Sequence, residues 1–452
     1  MNSTRPVSRR AFLRRTTWSS VAISAPWIVP AGASGTDGVA PANNRVNVAF
    51  LGTGRQVFHA NLLPFLVHPD TQVVALCDVD ARRLAATQRK VEEHYSVTRP
   101  TGGKGLQITA DFREVLARKD VDAVMISTPD HWHAYMAVEA ARAGKDVALE
   151  KPISLSIQQG RAISAAMTKY GRVFSTDTEV RTEGAFRKLA EIVRNGRLGK
   201  VRSVRVGVPH EQSVLGRPPR LSPVPPELHF PLWLGPAPDA PYSPDRVHPP
   251  ATDSDRGPGR PGWMQIQDYS EGMILNWGAH LIDIAQWALD REHGGPVEVE
   301  GTGVCPDDLY NVPQSFEVRY RYADGVDLFY SMAGRPFVRI EGTDGWAEAE
   351  WWKGIQASKP EILDTPWGSH EIRLKGPNEK VDFIEAVKSR RETQIPAETG
   401  HRTCTVCHLG FLALQLGRKL KWNPVTESFP DNPQAARRID RPMRDPWKLA
   451  EV

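Results

Sequence analysis

The sequence predicts an α/β protein whose N-terminal half is built on a parallel sheet, and three observations predict it. A short apolar strand, Val46 to Leu51, runs straight into Gly52-Thr53-Gly54 and then a helical segment. A second strand, "QVVALC", ends on an acid, Asp78. Strand and helix patterns alternate from there on, which implies parallel strands joined by right-handed crossovers.

In chain order, the first element is an export signal. Ser8-Arg9-Arg10-Ala11-Phe12-Leu13 matches the twin-arginine pattern, a receptor-read address. The segment after it, "TTWSSVAISAPWIVP", is too short and too interrupted by Ser and Pro to span a bilayer. Ala31-Gly32-Ala33 offers small residues to a signal peptidase. Residues 1–33 are expected to be the signal and 34–44 a linker, with the mature protein periplasmic or secreted and the twin-arginine machinery a partner. That route carries folded proteins, commonly because a cofactor is loaded inside the cell. The formal charge of +4 includes five arginines and no acid in the first 33 residues; without them 52 basic residues face 53 acidic ones. Such a balance gives no reason to expect nucleic acid as a partner.

The glycine turn at 52–54 follows a strand and opens a helix, the context in which it means dinucleotide binding. Glycines allow the tight turn and let backbone N–H groups and the helix N-terminus face a pyrophosphate. Gly52, Thr53, Gly54, Arg55 and Gln56 are the expected contacts. Val57 stands where a third glycine would pack, and its branched side chain should hold the helix away from the strand. Asp78 lies 24 residues after Gly54, where an acid accepts hydrogen bonds from the adenosine ribose. It would repel a 2′-phosphate, which favours NAD, although Arg82 and Arg83 leave NADP open. "VDAVMIST" and "KDVALE" read as further strands, giving a Rossmann domain over 45–176. At the end of the last of them, Glu150-Lys151-Pro152 faces the ligand crevice.

Further on, "EGMILNWGAHLIDIAQWAL" (271–289) is apolar on almost every side and predicts a buried helix. Its exceptions, Asn276, His280 and Asp283, recur at i, i+4 and i+7 and share one face. Buried polar groups need partners, so three together suggest a site. Between Leu215 and Gly262 lie fourteen of the 37 prolines. Within that long loop Trp233, Tyr242, Arg246 and His248 fit a sugar-binding wall. Cys404-Thr405-Val406-Cys407-His408 has the spacing of a c-type haem attachment. The flanking apolar residues, however, recur at helical spacing, and free cysteines are commonly buried as small hydrophobes. The buried reading is favoured, and no metal site is assigned.

Gly52-Thr53-Gly54, "STPDHWH" (127–133), "EKP" (150–152) and "NWGAHLID" (276–283) resemble the Gfo/Idh/MocA oxidoreductases. "WLGPAPDAPYSPDRVH" and "GHRTCTVCHLG" resemble an exported branch common in planctomycete-type bacteria. The resemblance runs from about residue 45 to 448. It implies a C-terminal α+β domain, 177–420, with a large open and mostly antiparallel sheet used for oligomerisation, then a tail, 421–452. The runs "VRSVRVGVP", "SFEVRYRYA", "VDLFYSMA" and "GWAEAEWW" are consistent with such a sheet. It implies Lys151 and His280 as the proton-transfer pair and a homo-oligomer. It also implies contacts to the cofactor from Thr128, Pro129, Asp130, His133 and Glu150, and a substrate-side Arg181. The family has Asp where this chain has Asn276, for which Asp283 is expected to compensate in part. The function implied is hydride transfer on a sugar or sugar derivative with tightly bound NAD. The alternatives are a redox-assisted glycosidase and a non-catalytic sugar-binding relic.

Overall fold

The computed structural model describes residues 44–99, 105–211, 219–247 and 262–449. The expected signal and most of the linker lie outside the described residues, as does His248.

Six strands form the first sheet: β1 (Val46–Leu51), β2 (Thr71–Cys77), β3 (Gln107–Thr109), β4 (Ala123–Ile126), β5 (Asp146–Glu150) and β6 (Phe174–Asp177). Their order is β3-β2-β1-β4-β5-β6, and every pairing is parallel. β4 and β5 are buried at every position. A sheet covered on both faces needs apolar residues without alternation, which is why these strands read as unbroken runs. The strand order reverses between β1 and β4, so the crevice at their carboxyl ends is the place for a ligand.

The second sheet shows the opposite pattern. It comprises β7 (Val201–Gly207), β8 (Glu298–Val304), β9 (Ser315–Arg321), β10 (Asp327–Ser331), β11 (Phe337–Gly342), β12 (Trp346–Glu350), β13 (Gly354–Ala357) and β14 (Leu420–Lys421), in the order β13-β12-β11-β7-β10-β9-β8-β14. Only β7 and β10 pair in parallel. Along β9, Phe316, Val318 and Tyr320 point inward while their neighbours remain accessible, the alternation of a sheet packed on one side.

Two helices, Gly278–Ala288 and Ala397–Leu416, cover the inner face. The Tyr330 hydroxyl donates to the Ile274 carbonyl (2.9 Å) and Tyr322 to Gln286 Oε1 (2.7 Å). A Cβ at Gly278 would stand 2.6 Å from Cys407 Sγ and 2.8 Å from Tyr330 Oη. Glycine there lets the 278–288 helix lie against both sheet and neighbouring helix.

The C-terminal part of the chain packs back on the first domain. The helix Glu379–Ser389 returns to the first domain and buries Phe383 edge-on against Phe65. The segment expected as a tail is packed: β14 extends the large sheet, and Trp447 is buried against Trp132 and Phe112.

Candidate active site

The glycine turn is built by close approach. Gly52 has φ +86°, and a Cβ there would stand 2.7 Å from the carbonyl oxygen of Ser127 at the end of β4. Beyond it, the Thr53 backbone N–H and hydroxyl donate to Asp78 Oδ2 (2.6 and 2.9 Å), and the Asp80 N–H donates to Asp78 Oδ1 (2.9 Å). Asp78 is thereby fixed beside the turn. Val57 is fully buried, and the chain accommodates it by winding wide: Val57–Asn61 is a π turn in which the Leu62 N–H bonds the Val57 carbonyl. The regular helix begins only at Leu62.

These residues fit a dinucleotide. A Cβ at Gly54 would meet nothing nearer than Arg83 Nη1 at 3.8 Å, so a ligand can approach the backbone there. Arg55 and Gln56 are exposed beside it. Arg82 pairs with Glu227 and Arg83 with Asp80. Both arginines that kept a 2′-phosphate open are engaged by carboxylates.

The carboxyl ends of β4 and β5 are held by buried polar contacts. Asn61 Nδ2 donates to Glu150 Oε1 (2.7 Å) and to Ser127 Oγ (3.1 Å). The His133 ring nitrogens face the carbonyl oxygens of Pro152 (Nδ1, 2.7 Å) and Thr128 (Nε2, 2.9 Å). Burial pushes this imidazole down to about 4, and the neutral ring, with one N–H to donate, is wedged between the Thr128-Pro129-Asp130 turn and the Glu150-Lys151-Pro152 loop. Both nitrogens are turned to backbone carbonyls within the protein, which corrects the expectation of a direct cofactor contact from His133. Asp130 opens the next helix and is buried.

Lys151 and His280 converge from the two domains. Lys151 Nζ donates to the backbone carbonyl of Asn276 (3.4 Å), one turn before His280. The His280 ring is buried, with Nδ1 2.7 Å from Thr178 Oγ1. Burial, then the charges of Lys151 and Lys380, hold its pKa well below the usual imidazole range. Neutral His280 with one nitrogen engaged can offer the other to a hydroxyl proton.

Asp283 and Arg181 depart from expectation together. Arg181 donates to both carboxylate oxygens of Asp283 (Nε 2.6 Å, Nη2 2.7 Å), pairs with Glu292 (2.8 Å) and is 2% exposed. A buried carboxylate needs a cation, and the turn after β6 supplies one. Asp283 therefore does not compensate for Asn276, and Arg181 does not face substrate.

Beneath the pair lies a cluster absent from the sequence reading. Lys380 donates to Asp177 Oδ1 (2.6 Å) and Glu379 Oε1 (2.5 Å). Burial is the main cause that pushes Asp177 up to about 7, against the pull of Lys380, and burial also raises Glu150.

Within its described residues, the proline-rich loop packs its aromatics inward. Trp233 and Tyr242 are buried in a small core of their own with Phe230 and Tyr269. The Trp233 carbonyl accepts from Trp132 Nε1 (3.2 Å), and Arg246 Nη1 donates to the Tyr269 hydroxyl (3.2 Å). The segment braces the carboxyl end of β2 just beyond Asp78, where the His229 N–H donates to the Val79 carbonyl (2.9 Å). Its aromatics answer each other, which corrects the sugar-wall expectation for Trp233 and Tyr242. Cys404 and Cys407 are buried within the 397–416 helix, their thiols pushed up by burial, and His408 Nδ1 is engaged by Glu271 (2.9 Å). That geometry leaves no room for a haem.

Residues 46–178 match a family profile described as "Oxidoreductase family, NAD-binding Rossmann fold", and 186–449 match "Oxidoreductase family, C-terminal alpha/beta domain". An α-N-acetylgalactosaminidase of Shewanella oneidensis is 32% identical over 121 residues, 27% of this chain and 26% of that protein. The chain spans less than half the length of the curated relatives it matches. Among solved structures, the WlbA dehydrogenase of Bordetella pertussis, in complex with NADH and UDP-GlcNAcA, superposes with TM-score 0.62 at 15% identity, covering 84% of this chain and 99% of that one. The aldose–aldose oxidoreductase of Caulobacter crescentus, complexed with glycerol, gives 0.59 at 18% identity, covering 83% and 99%. At these identities the structures share the fold.

Proposed function

The chain belongs to the Gfo/Idh/MocA oxidoreductase family, and from that premise we propose that it transfers hydride between a tightly held NAD and a sugar or sugar derivative. The observation that carries the proposal is the meeting of Lys151 with the Asn276 carbonyl, one turn from His280.

Oxidising a secondary alcohol requires its hydroxyl proton to leave as the C–H hydride departs, so a base must lie within hydrogen-bond reach. NAD, when bound, supplies the hydride acceptor. His280, held through Nδ1, presents Nε2 as the base, and Lys151 Nζ donates to the oxygen as charge develops there. Thr178 fixes the imidazole, and His133 keeps the Lys151 loop in place. Residues 52–56 and Asp78 would hold the dinucleotide, and the engagement of Arg82 and Arg83 supports NAD over NADP.

Two net reactions suit a retained cofactor: oxidation of one sugar coupled to reduction of another, or oxidation and re-reduction of the same sugar around an elimination. The Shewanella relative supports the second, a redox-assisted glycosidase. The twin-arginine pattern at 8–13 supports export of the folded, loaded protein, and the open outer face of the large sheet supports a homo-oligomer. Mass spectrometry of nucleotide released from denatured, freshly purified protein tests the proposal. NAD(H) at close to one per chain is the expected result; absence of any nucleotide overturns it.

A further inference from the structure

An exposed tryptophan with a strained backbone sits at the centre of the β12–β13 turn. Trp352 is 79% exposed and has φ +66°, the left-handed region that bulky side chains avoid. Burial does not explain it, and a small or flexible residue would make the same turn with less strain. Strain of this kind persists where function retains it.

Its surroundings point inward to the candidate site. Trp351 is half-buried, with its ring centroid 5.5 Å from that of His280 and 5.3 Å from that of Trp277. Trp352 follows at 5.6 Å from Trp351 and 6.3 Å from Trp277. Trp351 meets Trp277 and His280 edge to face (interplanar angles 73° and 83°), so the three indoles form a stepped aromatic wall from His280 out to solvent, with Trp352 at its exposed end. At its outer edge Lys353 and Glu350 pair at 2.7 Å, polar groups within reach of hydroxyls.

We infer that this step binds a second pyranose ring, attached to the ring that meets Lys151 and His280, so that the substrate is a glycoside or oligosaccharide rather than a free monosaccharide. The inference rests on the reading of Lys151 and His280 as the reacting site. A pyranose has apolar C–H faces and a polar rim. Flat aromatic faces beside charged side chains complement both. A step that began away from His280 would make no such demand on chain length; this one begins at the imidazole.

The test uses the full chain with its retained nucleotide and compares monosaccharide and disaccharide probes sharing a terminal ring. Suitable pairs are methyl β-glucoside with cellobiose and methyl α-galactoside with melibiose, titrated calorimetrically and by ligand-observed NMR. In the wild type at least one disaccharide should bind about 3–10-fold tighter than its monosaccharide, the worth of one aromatic stack. Trp352→Ala should abolish that ratio and Trp352→Phe restore most of it. The inference is overturned if the wild type shows no disaccharide advantage, or if Trp352→Ala leaves it intact. A W352A change in sedimentation without a change in the ratio would also overturn it, by assigning Trp352 to a contact between copies of the chain. Failure of the underlying site reading looks different: Lys151→Ala would leave turnover unchanged while the disaccharide ratio still depended on Trp352.

Discussion

Thr178 Oγ1 lies 2.7 Å from Nδ1 of His280, joining the end of β6 to the helix that carries the imidazole. Because the ring is held neutral by burial, the tautomer with hydrogen on Nδ1 leaves Nε2 as an acceptor. Thr178→Val should reduce kcat about 3–10-fold, the worth of one hydrogen bond, with little change in KM. Thr178→Ser should recover most of the loss. Equal losses in both variants, or a loss in KM alone, would assign Thr178 to packing.

Asp78 accepts from Thr53 as well as standing where the ribose is expected. Asp78→Ala should lower nucleotide content after purification and narrow the preference for NAD over NADP. Asp78→Asn separates the two roles: an amide oxygen can still hold the Thr53 N–H, while the charge that repels a 2′-phosphate is gone. Fluorescence titration of nucleotide-free protein should therefore show D78N retaining NAD better than D78A, with both accepting NADP. Unaltered NAD retention in D78A would place the ribose contact elsewhere.

Lys380 is the cation among Asp177, Glu379 and Glu150. The native carboxyl of Asp177 is raised from 3.8 to about 7, so between those values the folded protein keeps a proton that the unfolded chain has lost. Stability from this group must fall as pH rises through that window. Lys380→Met strips the counter-charge and should cost about 3–5 kcal/mol at pH 8, the usual penalty for a buried charge left unpaired. At pH 5 the carboxyls can be protonated in the variant, and the loss should be smaller. Urea denaturation at the two pH values measures the difference; an equal loss at both would contradict this account.

The parts visible in the sequence were those with local causes. Gly52 and Asp78 are set by one turn and one strand end, and Lys151 by its place after β5. The unbroken apolar runs of β4 and β5 and the alternation of β9 carry their burial in their own pattern. Contacts across long separations were invisible: Lys380 meets Asp177 from 203 residues away, and nothing near either marks the partner. Arg181 and Asp283 each carry the chemistry of a site residue in the sequence, yet their burial makes them partners of one another. The loop aromatics Trp233 and Tyr242 misled because composition cannot tell a small core from a sugar platform. The doublet Trp351-Trp352 had the needed composition, but only the fold brings it to His280.

The decisive prediction concerns the pair itself. Lys151→Ala or His280→Ala should each remove about 10²–10⁴-fold in rate, the worth of a positioned acid–base group, while bound nucleotide remains. Asn276→Asp restores a carboxylate one turn from the imidazole, which favours its charged form and raises its pKa. If neutral His280 is the base, the acidic limb of the kcat/KM profile should then move to higher pH. The nature of the product separates the two net reactions. A glycosidase releases free sugar from a glycoside with no net change in nicotinamide absorbance, whereas a sugar–sugar oxidoreductase turns over repeatedly only when a second sugar is supplied. Should neither alanine variant alter any reaction across a panel of sugars and glycosides, Lys151 and His280 are not the proton-transfer pair.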